Sequence, residues 1–148
     1  MGRKLGKGRF GDVYMARDLR TGLLIAIKMI SKKEVKEAGM ENQVGQEIKV
    51  QMFSNHPNIL KMYGFFSDNS KIYLLLELAT HGCLFKEIRK RNYCEESLAS
   101  FYFRQVAGAV RYLHSHYVIH RDIKPENILN SFSVLKLCDF GWAAYSPL

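Results

Sequence analysis

The chain has 148 residues, of which 47% are hydrophobic and 24% are charged. This composition excludes an intrinsically disordered chain and suits one folded domain with a sizeable core. The formal net charge of +8 favours phosphates, acidic proteins or nucleic acid as partners. The basic residues are scattered, however, with no run longer than 32–33 or 89–91 and no interleaved aromatic residues. We therefore predict no nucleic-acid partner.

Cysteine content and hydropathy indicate the cellular compartment in which the chain is expected. The three cysteines, Cys83, Cys94 and Cys138, form neither an even set nor a C-x-x-C pair. Disulfides and a structural zinc site are not expected, and a reducing cytosolic or nuclear setting fits. The apolar stretch 72–76 ends at Glu77 and is far too short to cross a membrane, so we predict no membrane-spanning segment. The N-terminus offers no apolar signal region.

The first half of the chain is predicted to be rich in strands. Strands are predicted at 13–16, 23–30, 60–65 and 71–78, and helices are predicted to begin at Ser31 and to span 43–53. Ser31 and Glu34 have the spacing of a capping box, which typically opens a helix. The longer helix places four residues on one face, namely Val44, Glu47, Ile48 and Gln51.

The second half is predicted to be mainly helical. Acidic residues at 95–96 suit the positive end of a long helix. Its inner stripe is predicted to contain Leu98, Phe101, Tyr102, Gln105, Val106, Ala109 and Leu113. Short strands are predicted at 118–119, 128–129 and 134–138. This order of elements predicts an α+β fold with two lobes.

A glycine-rich segment at 6–13 matches the pattern G-x-G-x-x-G-x-V. The candidate ATP-binding residues in it are Gly6, Lys7, Gly8, Arg9, Phe10, Gly11 and Val13, and the glycines let backbone N–H groups approach phosphates. Dinucleotide-binding folds share the glycine spacing, but there a helix opens at the glycines. Here a strand is predicted to follow, which favours a kinase hairpin.

A strand lysine and a helix glutamate form a second candidate pair. The segment 25–28 resembles the V-A-I-K strand of kinases, whose lysine contacts the α- and β-phosphates. Glu47 lies in the following helix, where a carboxylate would hold Lys28 towards the phosphates. Taken alone, each residue is more often an ordinary solvated side chain.

The segment 120–127 is the strongest signal, because it fits H-R-D-x-x-x-x-N at every fixed position. Asp122 fits a carboxylate that accepts the proton of a hydroxyl, and Lys124 fits a cation near the moving phosphate. Asn127 and Asp139, the latter in a D-F-G triplet, fit two Mg²⁺ ligands. Taken alone, the segment 120–127 or the D-F-G triplet could be a charged, solvated turn. The presence of both, in this order and after the glycine-rich segment and the strand lysine, disfavours that alternative.

These motifs together resemble the eukaryotic protein kinases over the whole chain, and Lys124 resembles the serine/threonine branch. The segments 5–11, 56–60, 118–127 and 139–142 resemble the Aurora kinases more closely still. Trp142 after the D-F-G triplet and Gln51 one turn beyond Glu47 add to that likeness. The resemblance implies a protein-kinase-like fold, with a small β-rich N-lobe and hinge at 1–79 and an incomplete helical C-lobe at 80–148.

The resemblance also implies further ATP-binding residues. Leu76 would be the gatekeeper, and Glu77, Leu78 and Ala79 the hinge that binds adenine through its backbone. The remaining positions implied to bind ATP are Leu5, Val13, Ala26, Glu126 and Leu129. Cys138 would lie beside the nucleotide as a buried, inert thiol.

The implied function is transfer of the γ-phosphoryl group of Mg·ATP to protein Ser or Thr residues. The Aurora likeness implies a mitotic role in cytoplasm and nucleus, at centrosome, spindle or chromosomes. Protein substrates and an activator protein on the N-lobe are the implied partners, without nucleic acid or membrane. The alternative is a catalytically incompetent chain that binds only nucleotide or a partner protein.

Two departures from the Aurora pattern stand out. Residues 45–46 are Gly and Gln where Auroras carry basic residues, which leaves Arg121 as the expected contact for a phosphorylated activation loop. The sequence also ends soon after D-F-G, without an A-P-E motif, so the resemblance implies truncation at both ends. The long helix is then expected to leave Phe101, Tyr102, Val106 and Leu113 partly bare, and the chain alone to fold poorly or only in the small lobe.

Overall fold

The computed structural model describes residues 2–146. Its first part is a five-stranded antiparallel sheet in the order β1-β2-β3-β5-β4. The strands are β1 (Lys4–Gly8), β2 (Gly11–Arg17), β3 (Leu24–Ser31), β4 (Met62–Ser67) and β5 (Lys71–Glu77). All four predicted strands of this half are present within one or two residues, and β1 is an addition to the prediction.

Two helices connect β3 to β4. They are α1 (Lys32–Glu37) and α2 (Glu41–Phe53). The Ser31 hydroxyl accepts a hydrogen bond from the Glu34 N–H (3.3 Å), so the predicted cap is present. Helix α2 packs on one face of the sheet, where Val44 joins a buried cluster with Leu74 and Leu76.

The second part is helical with short strand pairs. It contains α3 (Leu84–Arg91), α4 (Glu96–Ser115), β6 (Val118–Ile119), a 3₁₀ turn (Pro125–Asn127), β7 (Ile128–Ser131), β8 (Val134–Leu137) and β9 (Ala144–Tyr145). Strand β6 pairs with β9, and β7 pairs with β8, both antiparallel. The α+β class predicted from the element order is confirmed.

Helix α3 was not among the predicted elements. It has only eight residues, and five of them are charged, so the charged side chains obscure the short apolar face formed by Leu84, Phe85 and Ile88. Asn92 ends it in the left-handed conformation (φ 62°), a conformation that asparagine tolerates at helix C-termini. That asparagine and the one-turn spacing of Leu84 and Ile88 were the available signals.

The prediction for the inner stripe of α4 was partly wrong. Phe101 is 50% exposed, as expected, but Tyr102 and Leu113 are only 6% and 1% exposed. They are buried because Leu135 and Leu137 of β8 and neighbouring residues supply the covering surface from within this chain. Burying such side chains stabilises the second part by about 1.5–3 kcal/mol each.

The two parts meet along the segment that precedes β4. The Leu60 N–H donates to the Leu137 carbonyl (2.9 Å), and the Leu137 N–H donates to the Asn58 carbonyl (2.8 Å). Ile59 and Leu137 form a parallel bridge. These bonds place the β7–β8 hairpin beneath the sheet and leave a cleft between them.

Candidate active site

The cleft between the sheet and the β7–β8 hairpin has a volume of about 370 Å³. Most of the residues predicted to bind ATP line it, together with Glu47, the predicted partner of Lys28. They are Leu5, Gly6, Lys7, Gly8, Val13, Ala26, Lys28, Glu47, Glu77, Ala79, Glu126, Asn127, Leu129 and Asp139. The fold therefore brings residues from both ends of the chain to one cavity.

Four predicted nucleotide-site residues do not line this cleft. Arg9 and Phe10 line a smaller adjoining cavity of about 120 Å³, which also touches Lys28 and Asp139. Leu78 packs against the buried cluster beneath the sheet. Gly11 is required by strand pairing, because a Cβ there would lie 1.7 Å from the Met29 carbonyl oxygen.

Lys28 of β3 and Glu47 of α2 form an ion pair across the rear of the cleft. The Lys28 Nζ lies 2.6 Å from Glu47 Oε1, and both side chains are largely buried. Burial disfavours the ammonium charge, but the Glu47 carboxylate outweighs that cost and raises the pKa of Lys28. The lysine is therefore charged and held where its ammonium group faces both cavities.

Asp122 is the centre of a hydrogen-bonded loop. Its Oδ2 accepts hydrogen bonds from Lys124 Nζ (3.0 Å) and from Asn127 Nδ2 (2.9 Å). Asn127 Nδ2 also donates to the Asp122 carbonyl (2.9 Å). Asp122 and Lys124 do not line the cleft themselves, and Asn127 connects them to it. Because both amide hydrogens of Asn127 are directed to Asp122, its Oδ1 is the atom left for a ligand.

His120 links this loop to the D-F-G segment. The Asp122 N–H donates to His120 Nδ1 (3.2 Å), which assigns the ring proton to Nε2, and Nε2 donates to the Cys138 carbonyl (3.0 Å). Burial lowers the pKa of His120, so the ring is neutral at physiological pH. The ring also packs edge-on against Phe140, with centroids 5.0 Å apart.

Asp139 lies in an uncommon backbone conformation that directs it to the cleft. Its φ is 60°, in the left-handed region that few non-glycine residues adopt. The Gly141 N–H donates to Asp139 Oδ1 (3.4 Å), and Phe140 beside it is fully buried. A buried phenylalanine thus fixes the aspartate at the mouth of both cavities.

Arg121, the expected contact for a phosphorylated loop, also has a left-handed conformation (φ 66°). Its Nε donates to the Trp142 carbonyl (2.6 Å), and the side chain is exposed. Arg121, Gln46 and Trp142 border the same surface depression, which is lined by residues of α2 and by the segment 141–145 that begins at the glycine of D-F-G. No second basic residue lines that depression within residues 2–146.

Several cleft residues fall outside the predicted ATP-binding set. They are Gln51, Leu60, Leu76, Gly82, Cys83, Lys86 and Cys138, of which Leu76 and Cys138 had been expected beside the nucleotide. Gln51 is buried and donates to the Leu60 carbonyl (3.0 Å), which satisfies its amide. Gly82 and Cys83 belong to the connection into α3 and Lys86 to its first turn, so missing that helix also hid these residues.

Cys138 precedes the D-F-G triplet as a buried thiol. Burial and the neighbouring Asp139 carboxylate raise its pKa to about 12. Its Sγ lies 3.4 Å from the Asn127 carbonyl, to which it donates. At neutral pH the side chain is therefore a protonated thiol, in agreement with the expected inert character.

The hinge presents backbone groups to the cleft. The Glu77 N–H is already bonded to the Lys61 carbonyl (2.9 Å). The Ala79 N–H donates to no other group within residues 2–146, and Ala79 lines the cleft. Ala79 thus offers a free backbone donor at the edge of an apolar slot between Ala26 and Leu129.

The donor set of the cleft fits a hard divalent cation held together with phosphates. Asn127 and Asp139 supply oxygen atoms and line the same cavity, and oxygen is the ligand type that Mg²⁺ prefers. Among the described residues there is no group of three or more His, Cys, Asp or Glu side chains that could hold a metal alone. This matches a cation that takes only one or two protein ligands and completes its shell with water and substrate.

Comparisons with known proteins agree with this geometry. A profile of the protein kinase domain matches residues 1–147. Aurora kinase A-A of Xenopus laevis is 45% identical over 148 residues, which cover 99% of this chain and 36% of that protein. Aurora kinase B of Xenopus tropicalis is 44% identical and the Aurora kinase of Schizosaccharomyces pombe 46% identical, again over 99% of this chain and over 41% and 42% of those proteins.

The chain thus spans less than half the length of these curated relatives. None of the helices in residues 2–146 has the length and apolar character to cross a membrane. The predicted resemblance to protein kinases, and to Aurora kinases in particular, is confirmed by identities near 45% along nearly the whole chain. The chain belongs to the protein kinase domain family.

Proposed function

We propose that this chain carries the ATP-binding and catalytic groups of a serine/threonine protein kinase. The reaction is transfer of the γ-phosphoryl group of Mg·ATP to a Ser or Thr hydroxyl of a protein. The observation that carries this proposal is the convergence of the Lys28–Glu47 pair, Asp139 and the Asp122 loop around one cleft. Phosphoryl transfer depends mainly on such positioning and on electrostatic stabilisation.

The adenine ring of ATP fits the apolar slot of the cleft. Val13 and Ala26 of the sheet form its upper side and Leu129 its lower side. The free N–H of Ala79 suits an acceptor on the adenine edge, and the carbonyl of Glu77 suits its amino group. Leu5 and Glu126 line the same cavity, where they border the rest of the nucleoside.

The phosphates of ATP fit beneath the glycine-rich turn. Gly6, Lys7 and Gly8 line the cleft opposite the Lys28 ammonium group. Backbone N–H groups in such turns bind phosphate oxygens. Lys28 supplies a fixed positive charge to the same oxygens, because Glu47 prevents it from turning away.

Asn127 Oδ1 and the Asp139 carboxylate are the groups that would hold Mg²⁺. The cation neutralises charge on the phosphates and helps to orient them when bound. The Glu47 carboxylate is paired with Lys28, so it is not proposed as a third ligand of the cation.

Asp122 is the group that accepts the proton of the substrate hydroxyl. The hydrogen bonds from Lys124 and Asn127 fix the orientation of its carboxylate. Lys124 lies on the exposed side of Asp122, where its charge also reaches the phosphoryl group in transit. Asp122 therefore positions and activates the hydroxyl while Lys124 stabilises the developing charge.

Transfer of label from γ-labelled ATP to Ser- and Thr-containing peptides tests this proposal. With Asp122→Asn we expect transfer to fall by about 10²–10⁴-fold, the usual range for a general base, while ATP affinity is retained. Glu37→Gln, a change at an exposed carboxylate, is the matched control and should transfer at the wild-type rate. Equal transfer by Asp122→Asn and wild type would contradict the assignment.

A nucleotide-binding or partner-binding module without transfer activity is the second candidate. Phe101 and Phe103 of α4 favour it, since they are 50% and 73% exposed and a partner protein that covered α4 would bury apolar surface. Tight ATP binding by wild type combined with no transfer would select this candidate.

The likeness to Aurora kinases supports a mitotic setting as part of the proposal. Cytoplasm and nucleus, with centrosome, spindle or chromosomes, are the proposed locations, and proteins bearing Ser or Thr are the proposed substrates. An activator protein on the N-lobe is supported by the exposed Tyr63, Phe65 and Phe66 of β4. Tagged protein that stays away from mitotic structures in dividing cells would contradict this setting.

A further inference from the structure

A second ion pair joins the hinge to the β7–β8 hairpin. The Lys136 Nζ lies 2.8 Å from Glu77 Oε1, and the two side chains are only 13% and 23% exposed. Glu77 ends β5 and begins the hinge, whereas Lys136 belongs to β8. Of the ion pairs formed within residues 2–146, only this one and Lys28–Glu47 have both side chains less than a quarter exposed.

Both carboxylate oxygens of Glu77 are engaged. While Oε1 pairs with Lys136, Oε2 accepts a hydrogen bond from the Lys61 N–H (3.1 Å). The Glu77 N–H in turn donates to the Lys61 carbonyl (2.9 Å). The hinge is thereby fixed to the segment 58–61, which is itself bonded to Leu137 next to Lys136.

Lys136 is also tied to the floor of the adenine slot. It lies directly opposite Leu129 in the β7–β8 register, and paired residues in an antiparallel ladder point to the same face. The roof residue Ala26 pairs with Leu76, next to Glu77, in the β3–β5 ladder. The Lys136–Glu77 bond therefore joins β8, the pairing partner of the strand that carries Leu129, to β5, the pairing partner of the strand that carries Ala26.

We propose that Lys136 is a positioning residue, which acts through Glu77 to set the spacing between the hinge and the floor of the adenine slot. This inference rests on the proposed nucleotide-binding function. Lys136 does not line the cleft, so it influences the nucleotide only through the position of the hinge. Its removal should loosen the adenine end of the site and leave the phosphate end, built on Lys28 and Asp139, unchanged.

Calorimetric binding of adenosine and of inorganic tripolyphosphate with Mg²⁺ separates the two ends of the site. For Lys136→Met we expect the Kd for adenosine to rise by about 3- to 10-fold, which is within the range of interaction energies between residues in contact. The Kd for tripolyphosphate should change by less than about twofold. Lys136→Arg, which keeps the charge, should restore adenosine binding. Lys136→Met in a Glu77→Gln background should have no additional effect, because the pair is already broken.

Three results would overturn the inference. The first is adenosine binding by Lys136→Met with the wild-type Kd. The second is an equal loss of adenosine and tripolyphosphate binding, as general destabilisation would cause, and the third is failure of Lys136→Arg to restore adenosine binding. Lys33→Met, which removes an exposed ion pair, is the control for loss of a lysine charge. If wild type binds neither probe, the proposed function itself fails, and the inference with it.

Discussion

Lys28 Nζ and Glu47 Oε1 lie 2.6 Å apart, although the two residues come from a central strand and from the helix packed on its sheet. The pair joins two elements that enclose the cleft on different sides. Since each charge is largely buried, each depends on the other for compensation. A shift of α2 away from the sheet would break this pair. Folding of the first part and the geometry of the site therefore depend on the same contact.

Lys28→Met should destabilise the chain by about 3 kcal/mol, because it leaves the Glu47 carboxylate buried without a partner. Urea unfolding measures the change. The double variant Lys28→Met, Glu47→Leu should recover stability but not ATP binding. The control Lys33→Met should leave stability unchanged, because the ion pair of Lys33 is exposed. Unchanged stability of the single variant would mean that the pair contributes nothing to folding.

Gly11→Ala should destabilise the sheet severely, by about 3 kcal/mol, because backbone atoms occupy the space that the new methyl group needs. The added Cβ would lie 1.7 Å from the Met29 carbonyl oxygen, so β2 and β3 must separate there. Gly6→Ala is the matched control in the same glycine-rich segment, since nothing lies within 4 Å of its Cβ position. Thermal unfolding that ranks the two variants equally would contradict this packing argument.

Stability should fall as pH decreases below about 6.5, the ordinary pKa of histidine. Burial lowers the pKa of His120 in the folded chain. In the window between the folded and unfolded pKa values, the unfolded chain therefore binds more protons, and stability rises with pH. His56, whose pKa is also lowered by burial, contributes with the same sign.

Urea unfolding across that pH window checks the histidine argument. His120→Gln should show a shallower dependence than wild type, by up to about one proton. His114→Gln, at an exposed position of α4, should keep the wild-type slope. An identical slope for His120→Gln and wild type would show that His120 titrates alike in the folded and unfolded chain.

The Cys138 thiol should resist alkylation in the folded chain. With a pKa of about 12, its thiolate fraction near pH 8 is about one in ten thousand, and the thiolate is the reactive form. A Cys83→Ser, Cys94→Ser variant isolates this thiol for mass-spectrometric timing of iodoacetamide labelling, with and without urea. Labelling at the same rate in both conditions would contradict the buried, protonated state.

Local patterns in the sequence were sufficient for the strands other than β1 and β9, for helices α1, α2 and α4, and for the motif residues. Lys28, Asp122, Asn127 and Asp139 stand in segments whose spacing carries chemical meaning, and all four lie at or beside the cleft. Their roles remain predictions until binding and transfer are measured. The division into an N-lobe with hinge at 1–79 and a C-lobe at 80–148 likewise remains a prediction.

Features that depend on tertiary packing were not predictable in the same way. The burial of Tyr102 and Leu113 depends on a hairpin that follows them in sequence, so periodicity alone could not reveal what covers them. The Lys136–Glu77 pair joins distant positions with no motif to connect them. Helix α3 was missed because it has only eight residues, five of them charged, although its apolar residues Leu84 and Ile88 lie one turn apart.

The most direct test of the account is the magnesium dependence of ATP binding, measured by calorimetry on wild type and Asp139→Asn. We predict that Mg²⁺ tightens ATP binding to wild type by about tenfold or more, the loss expected when a charged contact is removed. Asp139→Asn should lose that dependence and still bind adenosine as wild type does. ATP binding that ignores Mg²⁺ in wild type, or that responds equally in both proteins, would contradict a catalytic site built on Asp139.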